Sequence, residues 1–75
     1  MTEKIHIGEL ILQKLKEEQR TVSWFAKKMN YNRTNIYKIF KKPHIDTVQL
    51  LQISLILNHD FFSHYSEYVI KNRKM

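Results

Sequence analysis

The stretch Val22–Lys41, VSWFAKKMNYNRTNIYKIFK, carries two short amphipathic patterns hinged at Asn30 and holds no acidic residue. Before the hinge, apolar residues recur at Val22, Phe25, Ala26 and Met29, the three- and four-residue spacing that lines one face of a helix. After it, Ile36, Ile39 and Phe40 resume the same spacing, so two helices are expected to share one core. Opposite the second stripe the same periodicity gathers Thr34, Tyr37, Lys38 and Lys41 on one outward face. A direction change in so few residues calls for a left-handed residue, which Asn30 tolerates better than most non-glycine residues. Asn32 suits the N-cap of the second helix, because its side-chain oxygen can accept from a backbone N–H that the helix leaves free. Arg33 and Thr34 then begin that helix.

The remaining chain reads as helical too. A first helix is expected from about His6 to Glu18, with Ile7, Ile11 and Leu15 inward. Pro43 stops the third helix, and Asp46 or Thr47 can cap a fourth running to about Leu57. Dense in Val48, Leu50, Leu51, Ile53, Leu55, Ile56 and Leu57, this fourth helix is expected to be the most buried. Asn58 suits a left-handed C-cap, and Asp60 can cap a fifth helix containing Phe61, Phe62, Tyr65, Tyr68 and Val69. With one glycine and one proline the chain suits short inter-helix turns rather than glycine-dependent hairpins, and all-α is the expected class.

At 75 residues the chain is expected to form one domain, 1–75, with a core over about 5–70 and residues 71–75 as a frayed basic tail or a DNA-trailing arm. It has no cysteine, which removes disulfides and cysteine-based zinc sites and is compatible with a reducing compartment. Hydrophobic residues make up 43% of the chain, yet no stretch approaches the ~20 apolar residues of a membrane span. The N-terminus MTEKIHIGEL lacks the apolar run of a signal peptide, and a soluble, cytoplasmic protein is expected.

Charge is unevenly placed. The net charge is +6, and between Glu18 and Asp46 there is no carboxylate, while Arg20, Lys27, Lys28, Arg33, Lys38, Lys41 and Lys42 all fall in that gap. A polyanion would meet one consistently positive region, whereas a plain solvated face has no reason to coincide with the two-helix pattern.

At these residues the chain resembles the phage repressor and Cro group, the xenobiotic-response-element (XRE) family of helix-turn-helix regulators found in bacteria and phages. Ala26 stands at the small-residue position where the helices cross, Ile36 at the buried aliphatic position of the recognition helix, and Ile7-Gly8 with Ile11 and Leu15 at the usual helical start. The resemblance covers roughly residues 5 to 66. The departures are Asn30 for the usual glycine, Tyr31 for an aliphatic residue, and Trp24 and Phe25 where a charged-Leu pair is commoner. It implies a compact five-helix, lambda-repressor-like DNA-binding domain with its helix-turn-helix at helices two and three. The implied function is sequence-specific binding of double-stranded DNA as a small, repressor-like transcriptional regulator.

In that reading phosphate contacts fix register and base-edge contacts carry sequence information. Arg33 and Thr34 at the start of the recognition helix, and Lys38 one turn later, are the expected base readers, with Arg33 or Lys38 donating to guanine. Asn35, which can read adenine but lies off the outward face, and Tyr37, which can reach a base or only a phosphate, are flanking candidates. Thr21 and Ser23 begin helix two, where hydroxyls and free N–H groups suit a phosphate, although Thr21 can equally be only a cap. Lys41, Lys42 and His44 lie in the loop that in the family runs along neighbouring phosphates. A homodimer on a palindromic site, with half-sites about 34 Å apart, is compatible with this reading. A surplus of aromatics on the last helix could supply the dimer patch.

An enzyme is not expected, and neither is a cofactor or a small-molecule substrate. His59, Asp60 and His64 form the only metal-like cluster, and a five-residue His spacing misses the four-residue spacing that puts two ligands on one helical face. No apolar pocket large enough for a substrate is expected in so small a core. A membrane-surface role fits poorly, since the cations gather at the motif rather than opposite an unpaired apolar face. The alternative is a protein-interaction module, such as an antitoxin-like adaptor, that keeps the fold but works through Trp24 and the last helix. Trp24 has no place on the apolar face of helix two and is expected either packed against the chain termini or open to a partner.

Overall fold

The computed structural model describes residues 5–73. Lys74 and Met75, the end of the expected tail, lie outside the described residues, as does the segment 1–4. The described chain is all-helical, in the order α1 (Ile7–Glu17), α2 (Val22–Met29), α3 (Arg33–Phe40), α4 (Thr47–Leu57) and α5 (Phe62–Asn72). No described helix is long and apolar enough to cross a membrane.

Local chemistry sets nearly every helix end. His6, Thr21, Asn32 and Asp46 each accept, through the side chain, from the backbone N–H three residues on, which supplies a first-turn donor that has no partner within the helix. Asp60 differs from the expected cap. Its carboxylate takes the Phe62 N–H at 3.0 Å, but the residue flanking α5 is Phe61, already in helical conformation. Three helices end on a left-handed residue: Gln19 (φ 57), Asn30 (φ 60) and Asn58 (φ 51). Each is followed by a residue whose N–H reaches back to the last turn: Arg20 to Leu15, Tyr31 to Ala26, and His59 to Ser54. This is the paired C-terminal closure that satisfies orphan carbonyls. Asn30 and Asn58 stand where the sequence places them. Gln19 has no such preference and gives no local signal.

The core gathers one apolar stripe from each of four helices: Ile7, Ile11 and Leu15; Phe25, Ala26 and Met29; Ile36, Ile39 and Phe40; Leu50, Ile53 and Leu57. Phe61, fully buried just before α5, completes it. Fully burying such a side chain is worth ~1.5–3 kcal/mol, which is what secures a helix pair as short as α2 and α3.

The closest backbone approach brings the start of α1 against the end of α3. The N–H groups of Ile7 and Gly8 donate to the carbonyls of Pro43 (3.0 Å) and Lys42 (2.9 Å). A Cβ on Gly8 would collide with the carbonyl oxygen of Ile39 and would sit 2.5 Å from that of Phe40. Glycine is therefore required there by space rather than by dihedral angle.

One expectation for the C-terminal half is corrected. The helix α4 is not the most buried: Val48, Leu51 and Leu55 are 75%, 52% and 74% exposed. Its aliphatics run around the whole helix, whereas the neighbours cover only one side. Of the expected tail, Lys71 and Asn72 form the last turn of α5 and Arg73 donates its N–H to the Val69 carbonyl at 2.9 Å.

Candidate nucleic-acid interface

The connection from α2 to α3 is three residues long, and all three act in it. Asn30 reverses the chain in left-handed conformation, and Asn32 caps α3 by accepting the Asn35 N–H at 2.9 Å. Between them, Tyr31 is half-buried and its hydroxyl accepts from the Gln49 side-chain amide at 3.0 Å, tying the turn to the first turn of α4. The aromatic residue thus gains a polar anchor that an aliphatic at this position could not make.

With Ile36, Ile39 and Phe40 buried, the rest of α3 faces outward. Arg33, Thr34, Asn35, Tyr37 and Lys38 are all exposed. Thr34, Tyr37, Lys38 and the capping Lys41 share one arc, with Arg33 at its leading edge. Asn35 sits at the rim of the buried stripe, yet is open to solvent. Tyr37 packs edge-on against Phe40, with ring centroids 6.1 Å apart, which fixes the ring and leaves 52% of the residue exposed.

At the start of α2, Thr21 is a cap: its Oγ accepts from the Trp24 N–H at 3.0 Å. Capping uses the oxygen's lone pair and leaves the hydroxyl hydrogen free to donate. Ser23 is exposed beside it in the first turn. Beyond α3, Lys41, Lys42 and His44 are exposed on the loop that the Ile7 and Gly8 hydrogen bonds hold. His44 also lines, with Ile5, His6, Pro43, Tyr65 and Tyr68, an open groove of about 570 Å³. The groove lies at the surface beside α5 rather than inside the core.

Electrostatically the two ends of the molecule differ. Among the described residues the only ion pairs join Lys14 to Glu17 (3.8 Å) and Glu18 (3.5 Å), on α1 and its cap. Lys27, Arg33, Lys38, Lys41 and Lys42 are exposed and make none with a described carboxylate. Two other cations are partly engaged: the Arg20 guanidinium lies 4.5 Å above the Trp24 ring centroid and the Lys28 ammonium 5.9 Å from it. Such stacking neutralises neither charge. Trp24 itself is half-buried against the core and shares a cleft with Ile56, Leu57 and Asn58. Across that cleft it faces the end of α4, a long-range neighbour that spacing within α2 cannot reveal.

The His59 and His64 rings meet although the two residues do not share a helical face. Their Nε2 atoms lie 3.0 Å apart, so one ring donates and the other accepts. The four-residue rule applies to two positions on one helix, and His59 stands in the turn before α5. Burial first, then the Lys14 ammonium and the His64 ring, hold the His59 imidazole below its ordinary value near 6.5, against an opposing pull from Asp60 and Glu17. The described residues contain no group of three or more His, Asp or Glu placed to hold a metal ion.

Compared with protein-family models, with curated proteins and with solved structures, the chain matches none.

Proposed function

We propose that this chain is a sequence-specific double-stranded DNA-binding protein, a small repressor-like regulator of the phage repressor and Cro type. In this reading α2, the Asn30–Asn32 turn and α3 act as its helix-turn-helix, and α3 enters the major groove. Arg33, Thr34 and Lys38 read bases, with Asn35 and Tyr37 flanking them. Thr21, Ser23, Lys41, Lys42 and His44 hold phosphates.

One observation carries the reading: the outward face of α3 presents Arg33, Thr34, Tyr37 and Lys38 to solvent, in a stretch that holds no carboxylate from Gln19 to Ile45. An unpaired cationic face on a helix whose opposite side is buried in the core suits a groove lined with phosphates and guanine acceptors. The Ile7 and Gly8 hydrogen bonds add a second support, because they fix the Lys42–Pro43 backbone that would follow the neighbouring strand.

The test is selection of duplexes from a randomised library at near-physiological salt, followed by sequencing of the retained DNA. Enrichment of a defined motif is expected, with affinity falling against salt on a log–log slope of about −5 for six neutralised phosphates. A chain that retains no DNA at any salt would instead fit the adaptor reading. The exposed aliphatics of α4 favour a protein contact in addition to DNA. Trp24, covered by Arg20 and half-buried against the core, is a poorer candidate for it.

A further inference from the structure

Helix α5 is the least anchored of the five. Each of α1 to α4 has at least three buried residues, whereas α5 has none and leans on the core through the half-buried Phe62 and Tyr65. Among the described residues a single hydrogen bond between side chains joins it to the rest of the chain, from His59 to His64. His59 belongs to the other side of the joint. Its backbone N–H closes α4 on the Ser54 carbonyl at 3.0 Å, and its ring stands edge-on to the buried Phe61 with centroids 4.6 Å apart. The two histidine centroids lie 5.2 Å apart, about as far as a 3.0 Å separation of the Nε2 atoms permits, so the nitrogens meet head-on. Nitrogens so placed hold one hydrogen between them and leave no off-axis point where a metal ion could share both lone pairs.

We propose that His59 and His64 form an acid-released clasp: while the rings share a hydrogen they hold α5 on the end of α4, and when both are protonated α5 undocks as a unit while the other four helices stay folded. Proton bookkeeping gives the reason. In the neutral pair one Nε2–H donates and the other Nε2 accepts. A first proton enters at the Nδ1 of the donating ring and leaves the bond in place, now charge-assisted. A second must enter at the accepting Nε2, and two N–H groups of like charge then face each other. Undocking separates the two imidazolium ions into water, so the undocked helix binds the second proton more readily and acid favours it.

The surroundings pull both ways. Burial of the His59 ring and Lys14 of α1 oppose charge there, whereas Glu17 of α1 and Asp60 of the turn favour it. Both carboxylates are already engaged, Glu17 by Lys14 and Asp60 by the Phe62 N–H. His6, Glu9, Glu67 and Tyr68 line the groove beyond His64, and α4 contributes no ionisable group. Tyr65 and Tyr68 are the α5 wall of the groove that Ile5, His6, Pro43 and His44 complete, so release of α5 opens that side of the molecule. Local opening of this kind draws on the least buried element of a fold. The clasp does not depend on DNA binding.

Native-state hydrogen exchange of the intact chain, followed by NMR from about pH 7.5 to about pH 5, tests the clasp. Protection of the α5 amides, corrected for the pH dependence of exchange itself, should fall at least roughly tenfold as the second proton binds, while that of α1 to α4 holds. His64→Gln retains a hydrogen-bonding side chain that cannot charge, and should leave α5 protection level across the range. The wild-type rings give a second reading that needs no variant: their nitrogen signals should titrate in two separate steps, with α5 losing protection at the second. Protection in α5 that ignores pH, or that falls together with the other four helices, would overturn the proposal. So would an acid loss that a folded His64→Gln retains, since Asp60 or Glu17 would then be its source.

Discussion

Helices α3 and α4 pack on the same core and leave opposite chemistry outside. In α3 the residues facing water are Arg33, Thr34, Tyr37 and Lys38, and in α4 they are Val48, Leu51, Gln52 and Leu55. Both helices bury three apolar residues at helical spacing, so the core treats them alike. The difference lies in which partner each outer face can bind. A cationic face gains from a polyanion and loses that gain with salt; an aliphatic face gains from another aliphatic face and is nearly indifferent to salt. One small bundle can therefore carry two contacts that solution conditions separate.

The largest expected effect removes the support shared by both faces. Gly8→Ala puts a Cβ against the Ile39 and Phe40 carbonyls. The cost should reach the ~3 kcal/mol end of overpacking, offset by up to about 1 kcal/mol of helix propensity. A urea midpoint lowered by a net ~2 kcal/mol, with DNA retention impaired because the loop after α3 shifts, is the expected result. Unchanged stability would mean that α1 is not held against α3 as described.

Arg33→Ala or Lys38→Ala should each cost about tenfold in affinity, ~1.4 kcal/mol, for the selected duplex and relax preference at one base position. Leu55→Glu should leave binding to an isolated half-site unchanged. If Leu55→Glu and Arg33→Ala affect half-site binding equally, the two faces are not separate.

The helix ends should answer to their own backbone angles at a smaller scale. Gln19→Gly is expected to raise stability by about 1 kcal/mol and Asn30→Ala to lower it by about as much, since a non-glycine residue in left-handed conformation carries a penalty that Asn partly escapes. Thermal melts of the two variants should shift in opposite directions.

Lys42→Ala touches the charged region alone. It should weaken DNA binding uniformly across sequences and reduce the salt slope by about one.

The smallest effect lies far from both faces, at the α4–α5 turn. The His59 imidazole is held below its ordinary value near 6.5, so the unfolded chain takes up that proton first. Its contribution to stability is therefore complete above that value and declines as the pH falls through it. Lys14, Glu17, Asp60 and His64 set the balance around the ring. Replacing it, as His59→Gln, should flatten this acid limb of a melting-temperature profile.

The features legible from residues alone are those in which each residue acts on its own backbone or its own helix. Asn30 and Asn58 turn left-handed because their side chains tolerate it, Asn32 and Asp46 cap because their oxygens reach three residues on, and Arg33, Thr34 and Lys38 are exposed because Ile36 and Ile39 are not. Features that depend on a distant neighbour were not legible. Trp24 borders a cleft with the end of α4, His59 meets His64 across a turn, His44 lines a groove with α5, and Gln19 adopts a left-handed angle that only helix closure demands.

Helix α4 marks the boundary between the two kinds of information. Its length, its Asp46 cap and its apolar character follow from interactions within a few residues, which the order of amino acids fixes without reference to the rest of the chain. Which of its sides is covered depends on how many helices can reach it. Leu50 and Leu51 are the same residue type one position apart, 3% and 52% exposed, and only the packing of the other helices distinguishes them.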